Sequence, residues 1–108
     1  MRAELLKGHT DLLLLHTLEA GPAHGYRIIE LLRERSGGEL DLPEGTIYPA
    51  LHRLERVGAI RSSWDESGPR RRRVYELTGR GRSSLQTRRE EWSGFVRTIA
   101  AVVGGPGV

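Results

Sequence analysis

The segment from residue 45 to residue 58 constrains the possible folds of this chain more than any other. When residues 47–57 are wound at about 100° per residue, one face of the helix becomes entirely aliphatic. That face contains Ile47, Ala50, Leu51, Leu54 and Val57. The opposite face contains Gly45, Pro49, His52 and Arg56, with Tyr48 and Arg53 on its flanks. The pattern is typical of an ordinary surface helix or of a recognition helix in a DNA major groove.

A basic hairpin is predicted directly after this helix. Residues 59–65 and 72–77 have the composition of two strands, joined by a turn at residues 66–69. Next to the turn stand four consecutive arginines, Arg70, Arg71, Arg72 and Arg73. Such a cluster repels itself unless phosphates supply counter-charge. Because strand residues alternate, Arg71 and Arg73 are expected on one face and Arg70 and Arg72 on the other.

Charge is concentrated in the part of the chain that contains this helix and hairpin. The net charge is +3 overall, but it is −2 for residues 1–42 and +5 for residues 43–90. A basic region of this kind favours a polyanionic partner, although a solvated arginine-rich face has the same composition. Helix and hairpin together predict a winged helix-turn-helix that binds double-stranded DNA.

The remaining patterns predict a mainly α fold with a small β component (α+β). A short helix over residues 2–7 would turn Leu5 and Leu6 inward. A second helix would run over residues 10–20 with Thr10 as its N-cap, and a third over residues 25–36 with an inward stripe of Ile28, Ile29 and Leu32. The helix containing Pro49 is expected to start near Thr46, so that the proline lies in its first turn.

A long final helix is predicted from about Thr78 to Val103. Its apolar residues recur at spacings of seven, three or four, as in a coiled-coil seam. The predicted dimer contacts are Leu5, Leu6, Leu85, Trp92, Phe95, Val96, Ile99 and Val102. The alternative is that this seam folds back on its own domain. We therefore predict a DNA-binding domain at residues 1–77, a dimerisation helix at residues 78–103 and a disordered tail at residues 104–108.

Trp92 suggests a possible effector site in this helix. It precedes Ser93 and Gly94, so the helix is thin beside its largest side chain. Two such helices crossing in a dimer would leave a slot for a small planar aromatic ligand, lined by Trp92, Phe95 and Val96. The alternative is that Trp92 only fills a core.

The predicted DNA contacts fall into three roles. Tyr48 and Arg56 are expected on phosphates, His52 and Arg53 on base edges, and the start of the third helix on the backbone. The full set is His24, Tyr26, Arg27, Thr46, Tyr48, Pro49, His52, Arg53, Arg56, Arg70, Arg71, Arg72 and Arg73.

The sequence contains no recognisable set of catalytic residues. The chain has no cysteine, and its histidines (His9, His16, His24 and His52) lack the spacing of a shared metal site. The serines have no suggestive base partner, and no glycine pattern matches a phosphate-binding loop. We expect no catalysis, no cofactor and no membrane segment, and a cytoplasmic location.

Three motifs resemble the PadR family of bacterial transcriptional regulators. They are His24-Gly25-Tyr26, the segment Gly45-Thr46-Ile47-Tyr48-Pro49-Ala50-Leu51-His52-Arg53-Leu54-Glu55, and Arg73-Val74-Tyr75-Glu76-Leu77-Thr78-Gly79-Arg80-Gly81. The resemblance covers about residues 5–103, and the single C-terminal helix is similar to the shorter PadR subgroup. It departs from the family in its arginine-rich wing and in the adjacent acids Glu90 and Glu91.

The resemblance implies a homodimeric repressor that binds an inverted-repeat operator and leaves it when an effector appears. In a drug-responsive member of the family, a tryptophan in the corresponding helix stacks on ligands. Two other functions remain open at this point. One is a winged-helix interaction module that docks an acidic protein. The other is a metal-responsive regulator that uses histidines and carboxylates.

Overall fold

The computed structural model describes residue 1 and residues 3–105, without the side chain of Ala3. Its elements are a short 3₁₀ helix (Ala3–Leu6), α1 (Thr10–Leu18), β1 (Ala23–His24), α2 (Gly25–Arg35), α3 (Glu44–Arg56), β2 (Ile60–Asp65), β3 (Arg72–Leu77) and α4 (Gly79–Val103). This is the winged helix-turn-helix predicted from the sequence. Of the predicted tail, Gly104 ends α4 through a bond from its N–H to the Ala100 carbonyl. Residues 106–108 lie outside the described part.

Helices α1, α2 and α3 pack against the sheet around one hydrophobic core. The inward stripe predicted for α2 is confirmed, because Ile28, Ile29 and Leu32 are all buried. The core is completed from the other elements by Leu14, Leu15, Leu18, Ile47, Leu51, Leu54, Ile60, Tyr75, Leu77 and Leu85. This core fixes the orientation of α3, so the polar face of α3 is turned to solvent.

The sheet has three antiparallel strands in the order β1-β3-β2. The predicted hairpin is confirmed, with Ile60 opposite Leu77 and Asp65 opposite Arg72. The short strand β1 was not predicted, since two residues are too few to show a period. Its pairing with β3 places His24 opposite Val74. The start of α2 is thereby attached to the hairpin, which we call the wing (residues 60–77).

The structure corrects three details of the sequence prediction for α1 and α3. Helix α3 starts at Glu44, so Pro49 is its sixth residue and lies beyond the first turn. The lost donor is the one that would reach the carbonyl of Gly45, close to the helix start. Val57 caps the C-terminus and is 53% exposed, so it lies outside the predicted stripe. In α1 the N-cap is His9, not Thr10.

Leu85, predicted as a dimer contact, and Leu5, predicted to face inward, differ from these expectations, while the prediction that Leu5 contacts a partner stays a prediction. Leu85 is only 2% exposed and belongs to the core of its own protomer, because the first half of α4 packs against α1 and β3. It therefore has almost no surface to offer a partner. Leu5 was expected to face inward, but it is 59% exposed because the segment is a single 3₁₀ turn.

Candidate nucleic-acid interface

The start of α2, helix α3 and the wing enclose one cleft of about 600 Å³. Its lining residues are His24, Gly25, Tyr26, Tyr48, Pro69, Arg70, Arg71, Arg72 and Arg73. Seven of these were predicted as DNA contacts from three separate stretches of sequence. The pairing of β1 with β3 brings these stretches together. The cleft is basic because all four wing arginines border it.

Tyr48 crosses from α3 to the start of α2, where it lies against Gly25. A methyl group on Gly25 would overlap the ring and hydroxyl of Tyr48. Glycine is therefore needed here for a close approach, and its φ is not in the left-handed region. Burial, followed by the nearby charge of Glu44, raises the pKa of the Tyr48 hydroxyl. The hydroxyl stays protonated at neutral pH and can donate to an anion.

Tyr26 and Glu44 meet at the mouth of the cleft. A hydrogen bond to the Glu44 carboxylate, together with its charge, raises the pKa of the exposed Tyr26 hydroxyl. Glu44 is the first residue of α3. The sequence analysis missed this acid. Through its contact with Tyr26, Glu44 places one negative charge beside the basic cleft.

His24 ties the start of α2 to the base of the wing. Its Nε2 lies 3.2 Å from Oδ2 of Asp65. Oδ1 of Asp65 accepts bonds from the Ser67 hydroxyl at 2.7 Å and the Ser67 N–H at 3.0 Å. These contacts lower the pKa of Asp65 to about 2. The largest effect comes from the Ser67 hydroxyl, followed by the Ser67 N–H and by His24. His24 thus acts as a brace for the wing.

Two of the wing arginines are held by the protein itself. The guanidinium carbons of Arg71 and Arg73 lie 4.3 and 5.0 Å from the centroid of the Trp64 ring. Arg71 also pairs with Glu66 at 2.8 Å. The predicted alternation is confirmed for this face. Cation–π contacts at an exposed ring are worth about 0.5–1 kcal/mol each, so they restrain the two side chains.

Arg73 also connects the wing with α3. Its Nε donates to Oγ of Ser62 at 2.8 Å, and its Nη2 lies 3.9 Å from Oε2 of Glu55. The Ser62 hydroxyl in turn donates to the same oxygen of Glu55. In contrast, within residue 1 and residues 3–105 no carboxylate forms an ion pair with Arg70 or Arg72. These two exposed arginines are the wing cations that can meet another anion.

The polar face of α3 is exposed, as expected for Thr46, Pro49, His52 and Arg56. Arg53 differs from the expectation, because its Nη2 lies 2.5 Å from Oδ1 of Asp11 in α1. The guanidinium is therefore directed along the flank of α3 and is held by a carboxylate.

Arg27 is held in a similar way on α2, with Nη1 lying 3.7 Å from Glu30 and 3.4 Å from Glu34. Carboxylates of the protein itself therefore partly neutralise Arg27 and Arg53.

Sequence reasoning missed the stacking of two wing arginines on Trp64, the contact of Asp65 with His24, and the acid Glu44. Trp64 carried a usable signal, since the predicted hairpin puts it near the arginines on one face. For Asp65 and Glu44 no sequence pattern was available, because each contacts a residue of another element. Asp65 contacts His24, and Glu44 contacts Tyr26. Those contacts depend on how the elements pack.

A second surface lies on the far half of α4. Trp92 is 47% exposed, and Phe95, Ile99 and Val102 are also exposed, while Val96 is half-buried. Of these residues, Trp92 and Phe95 border an open groove of about 620 Å³ together with the first part of the chain. Its lining residues include Leu5, Leu6, His9, Leu12, Leu13, Leu40, Arg89, Trp92 and Phe95. In the protomer, Trp92 is thus a wall of a groove and not a filler of the core.

A sequence model described as the Transcriptional regulator PadR-like family matches residues 14–87. This chain belongs to that family. The matched region runs from α1 into the first part of α4. It therefore includes the cleft, the polar face of α3 and the wing.

Individual relatives agree with this membership. The PadR-like protein is 32% identical over 96 residues to Transcriptional regulator Rv3488 of Mycobacterium tuberculosis, covering 89% of this chain and 87% of the relative. A transcriptional regulator structure from Clostridium thermocellum matches with a TM-score of 0.88 at 30% identity, covering 94% of this chain and 99% of that one. The structure of Bacillus subtilis PadR in complex with operator DNA matches with a TM-score of 0.67 at 26% identity, covering 74% and 46%.

None of the helices in the described ranges is both long enough and apolar enough to cross a membrane. Over residue 1 and residues 3–105, no three or more His, Asp or Glu side chains gather in a group that could hold a metal ion.

Proposed function

We propose that this PadR-like protein is a sequence-specific DNA-binding repressor that acts as a homodimer on an inverted-repeat operator in the cytoplasm. The observation that carries the proposal is the basic cleft, in which unpaired arginines, a protonated Tyr48 hydroxyl and the polar face of α3 border one surface. The operator complex of Bacillus subtilis PadR, a structural relative, supports the same use of the fold. Residues 1–77 bind DNA, and residues 78–103 join the protomers.

The residues have distinct roles in this proposal. Arg70, Arg72 and Arg56 contact phosphates, and Tyr48 donates its hydroxyl to another phosphate. His52 and Thr46 face the base edges in the major groove, where Pro49 packs beside them. Arg71 and Arg73 shape the wing from their positions on Trp64. No step of this role requires catalysis.

The decisive experiment is a salt series of DNA-binding measurements with the wild-type protein. If each protomer neutralises about three to five phosphates, log K falls against log salt with a slope of about −5 to −9 for the dimer. Duplex from the protein's own upstream region is the first probe. A flat salt response, or no retardation of any duplex, would refute DNA binding and favour a module that docks an acidic protein.

Paired wing variants make the same experiment specific. Arg70→Ala with Arg72→Ala removes two unpaired cations per protomer, so the slope becomes less negative by up to about 4 for a dimer. Arg71→Ala with Arg73→Ala is the matched control, since it removes the same charge from residues already held by Glu66, Glu55 and Trp64. If both double variants change the salt slope equally, the two pairs of arginines do not have the different roles proposed here.

The effector proposal concerns the groove beside α4. A small planar aromatic compound would stack on Trp92 between the two protomers, with Phe95 and Val96 as neighbouring walls, and would lower operator affinity. The half-exposed state of Trp92 supports this use. In a Trp64→Phe background, fluorescence of Trp92 reports binding directly. Trp92→Ala abolishes the response to planar aromatics, whereas a dimer that dissociates on this change would indicate a packing role.

A further inference from the structure

Asp11 joins three helices of the protomer. It is the second residue of α1, and its side chain is 16% exposed. Its Oδ1 lies 2.5 Å from Nη2 of Arg53 in α3, and its Oδ2 lies 3.6 Å from Nη2 of Arg88 in α4. One carboxylate therefore meets cations from the proposed recognition helix and from the proposed dimerisation helix.

The ion pairs of Asp11 lie where α3 and α4 both approach α1. Helix α1 packs on both of them. Arg88 is fixed further by a bond from its Nε to Oγ of Ser84 at 3.3 Å. It also borders a small cleft of about 230 Å³ together with Trp92 and Phe95. The contact thus extends from the polar face of α3 to the groove beside α4.

A directional contact at this point has a geometric consequence. Apolar packing is non-directional and permits small rotations of one helix on another. A carboxylate hydrogen-bonded to guanidinium groups prefers defined distances and angles. In a dimer joined through α4, the packing of α3 on α1 and of α1 on α4 sets the separation of the two recognition helices. That separation must match the half-site spacing of the operator.

We propose that Asp11 is a positioning residue that sets the half-site spacing which the dimer accepts, with Arg53 as its partner and not as a base reader. This inference rests on the proposed dimeric DNA binding. Asp11 does not touch DNA. It holds α3 at a fixed orientation relative to α4 through its two arginine contacts.

The test uses operators with altered spacers. An operator is selected by the wild-type protein from random duplexes, and versions with one or two base pairs more or fewer between the half-sites are then made, along with a single half-site. Asp11→Asn is expected to reduce the discrimination among spacers about three- to tenfold, the range for coupled ion pairs. Its affinity for the single half-site stays within about twofold of wild type, as for uncoupled surface changes.

Asp41→Asn is the matched control. It removes the same charge and also breaks an ion pair, because Asp41 lies 2.7 Å from Nη2 of Arg33. That pair joins α2 to the connection before α3 and involves neither α1 nor α4. Asp41→Asn is therefore expected to keep the spacing preference of wild type.

Variants of Arg53 distinguish positioning from base reading. Arg53→Gln is expected to lower the spacing discrimination in the same direction as Asp11→Asn, though less, because the contact of Asp11 with Arg88 remains. The double variant is expected to be no worse than Asp11→Asn alone, which already removes the contact with Arg53. Arg53→Lys keeps the charge and restores much of the spacing preference. If Arg53→Gln instead relaxes base preference at one operator position with spacing intact, Arg53 reads a base and the inference is overturned.

Failure of this inference differs from failure of the proposed function. Asp11→Asn with the wild-type spacing preference would overturn the inference alone. A wild-type protein that selects no duplex would overturn the proposed function and this inference with it. A readout without DNA checks the contact itself: the Nε–Hε NMR signal of Arg53 is expected to move in Asp11→Asn and to stay in Asp41→Asn. An unmoved signal in both variants would also overturn the inference.

Discussion

At the scale of single residues, the cleft depends on a few side chains whose positions are set by one neighbour each. Tyr48 lies over Gly25, Asp65 holds His24, and Trp64 carries Arg71 and Arg73. One of these contacts joins the first two sequence motifs directly. His24-Gly25-Tyr26 supplies the surface on which the tyrosine of the second motif rests.

The first prediction tests the packing of Tyr48 on Gly25. In Gly25→Ala the new methyl group displaces the Tyr48 ring, so its hydroxyl loses the proposed phosphate. Operator binding weakens by about 1.5–3 kcal/mol, the value of a hydrogen bond to a charged group. Fluorescence anisotropy with labelled operator measures this change. Gly79→Ala is the control, because nothing lies within 4 Å of a Cβ there and Gly79 does not line the cleft. Equal losses in both variants would contradict the role of Tyr48.

The second prediction concerns acid and the wing. The pKa of Asp65 is about 2 in the folded protein, below its ordinary value of 3.8. A depressed pKa gives stability that is fully present above about pH 4 and is lost as the pH falls through about 2. The melting temperature of wild type therefore drops toward that of Asp65→Asn between these pH values. Thermal melts of both proteins over the acid range check this, and a constant difference between the two would refute it.

At the scale of elements, the junction between β3 and α4 decides how the long helix leaves the domain. Thr78 accepts a bond from the N–H of Gly81 at 3.0 Å, and its hydroxyl donates to the carbonyl of Gly58 at 2.6 Å. Gly81 then passes so close to Ala59 that a methyl group would overlap the Ala59 carbonyl oxygen. The cap and the close approach lock α4 against the end of α3 and the start of β2.

The third prediction tests this junction. Gly81→Ala forces the backbones apart and lowers the free energy of unfolding by about 1–3 kcal/mol, as overpacking does. Gly79→Ala is the control, since a Cβ at Gly79 meets nothing within 4 Å. A compatible Gly→Ala change stabilises by about 0.4–1 kcal/mol. Urea denaturation of both variants gives the values, and a Gly81→Ala protein as stable as wild type would show that the junction relaxes freely.

At the scale of the whole molecule, the first half of α4 completes the core while the second half projects apolar side chains into solvent. Leu85 is buried, whereas Trp92, Phe95, Ile99 and Val102 are exposed. An exposed apolar strip on a small domain is typical of an interaction surface. A second copy of the chain is the simplest partner, since the same strip on two chains makes a self-complementary interface.

The fourth prediction tests the dimer. Ile99→Asp places a charge in the strip, where burial without a partner is costly. The variant is expected to be monomeric and to lose operator binding, because two half-sites need two linked recognition helices. Ala101→Asp adds the same charge at an exposed position on the opposite side of α4 and is expected to remain dimeric. Sedimentation measures both, and a dimeric Ile99→Asp protein would place the interface elsewhere.

The sequence by itself determined the elements and their faces. The periods of α2 and α3, the alternation of the wing arginines and the glycine punctuation are local properties, and a local pattern needs no knowledge of what lies opposite. For that reason the winged helix-turn-helix could be predicted, together with seven of the residues that line the cleft. The same reasoning misplaced the start of α3, because Pro49 is tolerated one turn later than its usual position.

Only the tertiary structure decided which charged side chains remain available. Arg53 and Arg27 have the composition and position of DNA contacts, yet carboxylates on α1 and α2 hold them. Leu85 has the spacing of a dimer seam, yet its own domain buries it. Asp11 is 42 residues from Arg53 in sequence and is brought to it by the packing of α1 on α3. The partners of Arg27, in contrast, lie on α2 itself, so that pair is a local one. Helical and strand periods describe one element at a time, and an ion pair between two elements leaves no trace in either period.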